Sequence, residues 1–447
     1  MPSDSEVIIS DDFGDSQSPT TTPAHTQVRH KVHMPHSHVA AAREFVKRKT
    51  VCRRTPMTVF QVSVLGLTLL IIIVLCVIYQ TWLTSALSDN HRPHTPDDEE
   101  YHMKLVNYIN NPNHQKDWKA VYNKFAARGM DEEEDMPNEK NKEKDNEIFN
   151  IFKDNKYAVF GDTLAYLPRL VSRRDVQIPK SFDIRLNWPL CSSVHRIQNQ
   201  GSCGSCWAAS ATSAIADRIC IQSNYTQQPQ ISIKDLLMCC PHCGTCGGAT
   251  WPLFAFTYWK TDGIVTGGQY GSFEGCKPYE KSASCGNPCP TDYYTNQIDD
   301  KFCERKCQPL YSKTYEEDLL HAREAYWIKP IPNADEYFPD YMKRVRAIVG
   351  DLDYATLIKR EVYLNGPVMG CFPVYDEFQH YKSGIYNKTS PDAKMLYGHC
   401  AKLIGWGEEN GIEYWTYANT WGRDWGENGF FRMRLENLPE EVAAGNI

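Results

Sequence analysis

The sequence predicts an α+β domain over residues 178–447, preceded by a polar tail, a membrane span and a charged intermediate region. Three observations carry this reading. After Cys206 the apolar residues Trp207, Ala211, Ile215 and Ile219 recur at every fourth position, as on one face of a helix. Residues 397–422 hold two strand-like runs around Asn410-Gly411, a hairpin signal. Of the 17 cysteines, only Cys52 and Cys76 precede residue 190, and this density points to an oxidising compartment.

The elements follow in order along the chain. Residues 1–55 are rich in Ser, Thr, Pro, Asp and His, have little to pack, and read as a disordered tail. Its histidines show no metal-ligand spacing. From Arg54 to Asp89 no charged residue intervenes, and 62–79 reads VSVLGLTLLIIIVLCVIY. About 20 apolar residues suffice to cross a bilayer, so 56–82 is expected to be a span. Arg43, Lys47, Arg48, Lys49, Arg53 and Arg54 precede it and PDDEE follows. That asymmetry predicts a cytosolic tail and a lumenal or extracellular remainder, a single-pass type II arrangement. Two glycosylation sequons, at Asn224 and Asn387, fall on the outer side. The net charge of -7 gives no signal for nucleic acid.

Beyond the span, residues 101–126 carry amphipathic helix signals with aromatic anchors, and 131–147 holds a run of acids that reads as a solvated linker. From Ile178 the composition turns globular. Cys203 and Cys206, three positions apart, admit three readings: a mutual bond, a metal site, or one structural and one reactive thiol. Cys240, Cys243 and Cys246 also have spacings that suit zinc, yet in an oxidising lumen disulfides are favoured, and no metal or cofactor is expected. An odd cysteine count after residue 190 leaves at least one thiol unpaired within the chain. Cys206 would open a helix, where the partial positive charge stabilises a thiolate. His399 and Asn419 lie on either side of the hairpin turn, at comparable heights on neighbouring strands.

The blocks QGSCGSCW, GHCAKLIGWG and ANTWGRDWGENGFF resemble the three signatures of papain-family cysteine peptidases. Within that family the cathepsin B group is the nearest likeness, through IPKSFDIRLNWPLC, DLLMCC, GCKPYE, NGPVMG, YKSGIYN and, upstream, LVNYINN. The resemblance covers roughly 101–445 and implies a helical lobe and a β-barrel-like lobe with a cleft between them. It implies that 83–177 is an inhibitory pro-segment, cut near VSRRDVQIPKSFD, and that protein or peptide substrates and cystatin-like inhibitors are the partners. It makes Cys206 the nucleophile, His399 the acid and base, Asn419 the residue orienting the imidazole, and Gln200 an oxyanion donor. Trp421 would shield the His–Asn bond, Gly247 and Gly248 would line the substrate, and Glu441 would sit in a specificity pocket. The pairings it implies are Cys191–Cys220, Cys203–Cys246, Cys239–Cys303, Cys240–Cys243, Cys276–Cys307 and Cys285–Cys289. Cys203 is then structural and Cys206 reactive, with a thiolate already formed in the resting site.

Several departures from the family pattern stand out. The substrate strand reads Cys246-Gly247-Gly248-Ala249, His399 is followed by Cys400, and the C-terminus is short. Residues 327–351 read as an inserted surface excursion. The stretch 285–303, where related enzymes carry an occluding loop with paired histidines, has no histidine, which predicts endopeptidase rather than dipeptide-trimming activity. The rival reading is a catalytically impaired homologue that acts as a membrane-tethered binding or adhesion module. A redox or zinc protein built on the cysteine cluster is a second rival.

Overall fold

The computed structural model describes residues 67–77, 79, 96–126, 159–249, 251–290 and 302–447. The chain forms two units, Met1–Leu87 and Ser88–Ile447. In the first, 67–77 is helical with its apolar side chains exposed. Among the described residues no helix is long and apolar enough to cross a membrane, and much of the span expected over 56–82 lies outside them. The tail 1–55, the linker 131–147 and the remainder of 56–82 other than residue 79 lie outside the described residues.

The second unit begins with α1 (Pro96–Asn110), β1 (Trp118–Ala120), α2 (Val159–Ser172) and β2 (Phe182–Asp183). Its helical side follows as α3 (Cys206–Gln222), α4 (Ile233–Cys239) and α5 (Leu253–Thr261). Then come β3 (Glu324–Lys329), α6 (Pro339–Val349), α7 (Tyr354–Asn365), β4 (Val368–Tyr375) and β5 (Tyr381–Tyr386). The chain closes with β6 (Met395–Glu409), β7 (Ile412–Ala418), β8 (Phe430–Arg434) and β9 (Glu441–Asn446). The strands join in the order β1-β5-β8-β7-β6-β4-β9-β3, with β2 also on β6. Among the described strands only the β5–β8 pairing is parallel.

Two cores flank the sheet. One, around Phe372, Phe378, Trp421, Trp425 and Phe431, is aromatic. The other surrounds α3 and includes Trp207, Ile215, Phe254 and Trp259. The hairpin turn between β6 and β7 is built as the sequence suggests: Asn410 and Gly411 both take positive φ, 54° and 80°, which matches the twist of the paired strands. The helix after Cys206 departs from expectation. Every residue from Cys206 to Cys220 is buried, so α3 runs through the interior instead of presenting one apolar face. Its small residues, Ala208, Ala209, Ala211 and Ala214, let neighbours approach on all sides.

One expectation about the chain's organisation needs correction. Residues 327–351 are not a surface excursion: Met342, Val345 and Val349, at one-face helical spacing on α6, are buried. They share a core with Tyr166, Leu167 and Leu170 of α2, which lies inside the segment expected to leave on activation.

Candidate active site

Cys206 opens α3, with Ser205 at the N-cap position. The Ser205 hydroxyl does not cap the helix but meets the Tyr279 hydroxyl at 2.8 Å. The first-turn amides are therefore left for other partners, and the backbone N–H groups of Cys206, Trp207 and Cys400 reach the thiol. Among the described residues the free cysteines are Cys76, exposed, and Cys206, buried. Cys203 is bonded to Cys246, which pins the loop before the helix, and Gly204 N–H adds a 2.8 Å bond to the Cys246 carbonyl. The structure also joins Cys191–Cys220, Cys239–Cys303, Cys240–Cys243, Cys276–Cys307 and Cys285–Cys289. Among the described residues no cluster of His, Cys, Asp and Glu suits a metal ion.

His399 and Cys400 are consecutive on β6, so the Cys400 amide at the thiol brings the imidazole's own strand to Cys206. The His399 Nε2 lies 2.7 Å from the Asn419 Oδ1, which also accepts the Thr420 N–H at 2.8 Å. With Asn419 as acceptor, Nε2 carries the proton in the neutral ring, and Nδ1 is left as a base. Nδ1 is buried without a hydrogen-bond partner among the described residues. The Trp421 ring stands tilted beside the imidazole, with centroids 4.7 Å apart.

Gln200 is anchored at four points. Its backbone N–H donates to the Thr420 carbonyl, its carbonyl accepts from Tyr279, and its Oε1 accepts from the Thr420 hydroxyl at 2.6 Å. Nε2 gives one proton to the Cys203 carbonyl at 2.9 Å, which leaves the second for a ligand. Gly247 and Gly248 form a tight turn on Thr245. The Gly248 N–H and carbonyl both pair with the Thr245 backbone, and the Gly247 N–H donates to the Thr245 hydroxyl. A Cβ on Gly248 would meet nothing, so the turn faces open space.

Glu441 is buried at 3 % exposure, and its carboxylate accepts from the Trp327 indole at 2.8 Å and the Leu253 N–H at 3.0 Å. Burial pushes its pKa up to about 7. Its strand neighbour in register is Cys371, whose own partner across β4–β6 is Cys400. Cys371 and Cys400 are disulfide-bonded, a bridge that sequence reasoning missed. The cysteine that follows His399 is the available signal, but the pairing depends on a strand register that the sequence does not display.

The resting protonation state differs from the thiolate expected from the sequence. Burial raises the Cys206 thiol to about 11, and burial lowers His399 to about 4 against the opposing pull of Asn419. At neutral pH both groups are uncharged here, because water is excluded and charge separation is costly.

Residues 96–126 reach a loop next to the site. β1 adds to β5 at the sheet edge, with Trp118 opposite Gly384. Any side chain at Gly384 would strike the Asp117 carbonyl, within 2.3 Å of where a Cβ would stand. The Asn123 side chain donates to the Asn287 carbonyl at 2.8 Å, and the Phe125 ring lies against Gly286. This 285–289 loop packs on Tyr397, which stands close enough to the Cys206 thiol for their ionisations to oppose each other. Residues 291–301 of the stretch read as an altered loop lie outside the described residues.

Comparison with known proteins places the chain among relatives. Residues 178–443 match the family model described as papain family cysteine protease. A cathepsin B-like cysteine proteinase 6 of Caenorhabditis elegans is 42% identical over 268 residues, which are 58% of this chain and 63% of the relative. The match thus spans less than two thirds of that relative's length. A cathepsin B-like cysteine proteinase 1 of Ostertagia ostertagi is 39% identical over 60% of this chain and 73% of its own. Among solved structures, proCathepsin B S9 from Trypanosoma congolense aligns with a TM-score of 0.51 and 27% identity, over 77% of this chain and 97% of that one.

Proposed function

Because the chain belongs to the papain family of cysteine proteases, we propose that it hydrolyses peptide bonds through a thioester acyl-enzyme on Cys206. The observation that carries this reading is the 2.7 Å His399–Asn419 bond, which leaves Nδ1 as a base beside the strand that touches a free, buried thiol. When the site is uncovered, water and substrate dipoles relieve the burial that holds both groups neutral. The Cys206 proton then moves to His399 Nδ1, giving a thiolate and an imidazolium that stabilise each other.

The thiolate attacks the substrate carbonyl carbon, and the carbonyl π electrons move to oxygen. The second Gln200 Nε2 proton and the Cys206 backbone N–H receive that oxyanion. As the tetrahedral adduct collapses, the C–N bond breaks and the imidazolium gives its proton to the leaving amine. Water, deprotonated by the same nitrogen, then attacks the thioester and releases the acid and the thiol. Asn419 holds the ring in the tautomer these transfers need.

The same reading makes the chain a zymogen, with 96–126 covering the site, and an endopeptidase, since 285–303 contains no histidine to hold a terminal carboxylate. It is tethered by the apolar run 62–79 as a type II protein with a lumenal or extracellular body. Asn224 is exposed and suited to a glycan, whereas Asn387 is half-buried and its side-chain oxygen accepts from Asn437 at 3.0 Å. The test is hydrolysis of a fluorogenic peptide by processed protein. Cys206→Ser is expected to abolish turnover with the fold intact, and near-normal turnover in that variant would exclude the mechanism.

A further inference from the structure

Within Ser88–Ile447, residues 96–126 and helix α2 are attached to the body in different ways. Residues 96–126 lie along one sheet edge and a loop. Helix α2 is built into the interior: Thr163 and Leu167 are fully buried and Leu170 is 2 % exposed. With Tyr166 these form one helical face at spacings of three and four.

Both ends of α2 are tied to the body. The Asp162 carboxylate accepts the Ala325 N–H at 3.0 Å and pairs with Lys260 at 2.7 Å. The Leu170 and Val171 carbonyls, at the end of the helix, accept from Arg360 at 3.1 and 3.2 Å. Between them, the Trp327 backbone N–H donates to the Thr163 hydroxyl at 3.1 Å. The Tyr166 ring stacks on Tyr326 at 3.5 Å, and its hydroxyl donates to Glu361. Glu361 forms a fully buried ion pair with Arg218 of α3 at 2.8 Å and accepts from Tyr326 at 2.8 Å. Loss of α2 would strip a donor from this carboxylate, expose an ion pair at the centre of the body, and uncover Met342, Val345 and Val349 of α6.

We propose that α2 is a permanent part of the active peptidase: residues 159–172 stay seated on the surface formed by β3, α6 and α7 after activation, and only the chain before them leaves. The basic stretch Arg173-Arg174 is exposed, so a cut there yields a two-chain enzyme with α2 held non-covalently. A cut further upstream leaves α2 attached. In either case the segment expected to leave as one unit divides into a cover and a structural helix. The inference rests on the peptidase reading only for the definition of the active species.

The experiment uses the full chain, allowed to mature. Species that react with a biotinylated peptidyl-epoxide probe are captured under native conditions, then denatured, and their chains are identified by intact mass. The fragment carrying Cys206 is expected to come with residues 159–172 in equal amount, as its own N-terminus or as a separate peptide, and without 96–110. Labelled enzyme that begins at or after Arg173 and contains no such peptide would overturn the proposal. If the probe labels nothing, the peptidase reading fails by itself. Retention is then read from native trypsin digestion: a core that keeps 159–172 sustains it, and a stable core that has lost them refutes it.

Discussion

His102 of α1 and His380 of the body meet ring to ring, with Nδ1 2.8 Å from Nε2 and both side chains buried. His380 Nδ1 also takes the Asn123 N–H at 3.0 Å, and the Tyr122 ring stacks over it. Burial, then the neighbouring His102, holds its pKa down to about 3. A base whose pKa is depressed in the docked state binds more protons when released, so docking weakens as pH falls below about 6.5 and continues to weaken toward about 3. The buried carboxylates Asp376 and Glu377, both raised by burial, titrate in the opposite sense, and Asp376 accepts from Tyr101 at 2.7 Å.

Release of 96–126 from the zymogen is therefore expected to accelerate between pH 7 and pH 5. His102→Asn, which keeps a hydrogen-bonding group but cannot take the second charge, should flatten that dependence. The measurement is the rate of appearance of peptidase activity against pH; an unchanged profile in the variant would assign the trigger elsewhere.

The two cysteines at the head of α3 should separate on substitution. Cys203→Ser removes a bridge closing 43 residues and is expected to cost about 2–5 kcal/mol of stability. Gln200→Ala should leave stability nearer to wild type and lower kcat by ~10²–10³. Thermal unfolding and kinetics on the same preparations compare the two.

Specificity is expected to depend on pH through Glu441. An acid whose pKa is raised from 4.5 to about 7 is neutral in the folded site below 7, and its burial costs stability as pH rises through that range. Glu441→Ala should reduce cleavage after Arg-Arg more than after Phe-Arg at pH 8, with the difference shrinking toward pH 5. Equal losses at both pH values would remove Glu441 from the substrate pocket.

A peptide offered with a free or an amidated C-terminus distinguishes the mode of attack. Internal cleavage at similar rates is expected for both. Dipeptide release that requires the free carboxylate would point to a cationic group elsewhere at the cleft.

What was legible in the sequence was local. Cys206, His399 and Asn419 sit in long ordered blocks, and the Asn410-Gly411 turn specifies its own geometry. What was hidden depends on distant partners. Residues 327–351 look like a surface insertion because the helix that covers them lies some 160 residues upstream. The Cys371–Cys400 bridge needs the β4–β6 register, and the His102–His380 pair joins residues 278 apart. The resting neutrality of Cys206 and His399 follows from burial, which the motif spacing does not report.

The most direct test of the central claim is the site of covalent labelling by an irreversible peptidyl epoxide on activated protein, mapped by peptide mass. One adduct is expected, on Cys206, formed far more slowly in His399→Ala and absent in Cys206→Ser. Activated protein that takes no label, or labels at another cysteine with equal speed in His399→Ala, would contradict the assignment of Cys206 and His399 as a catalytic pair.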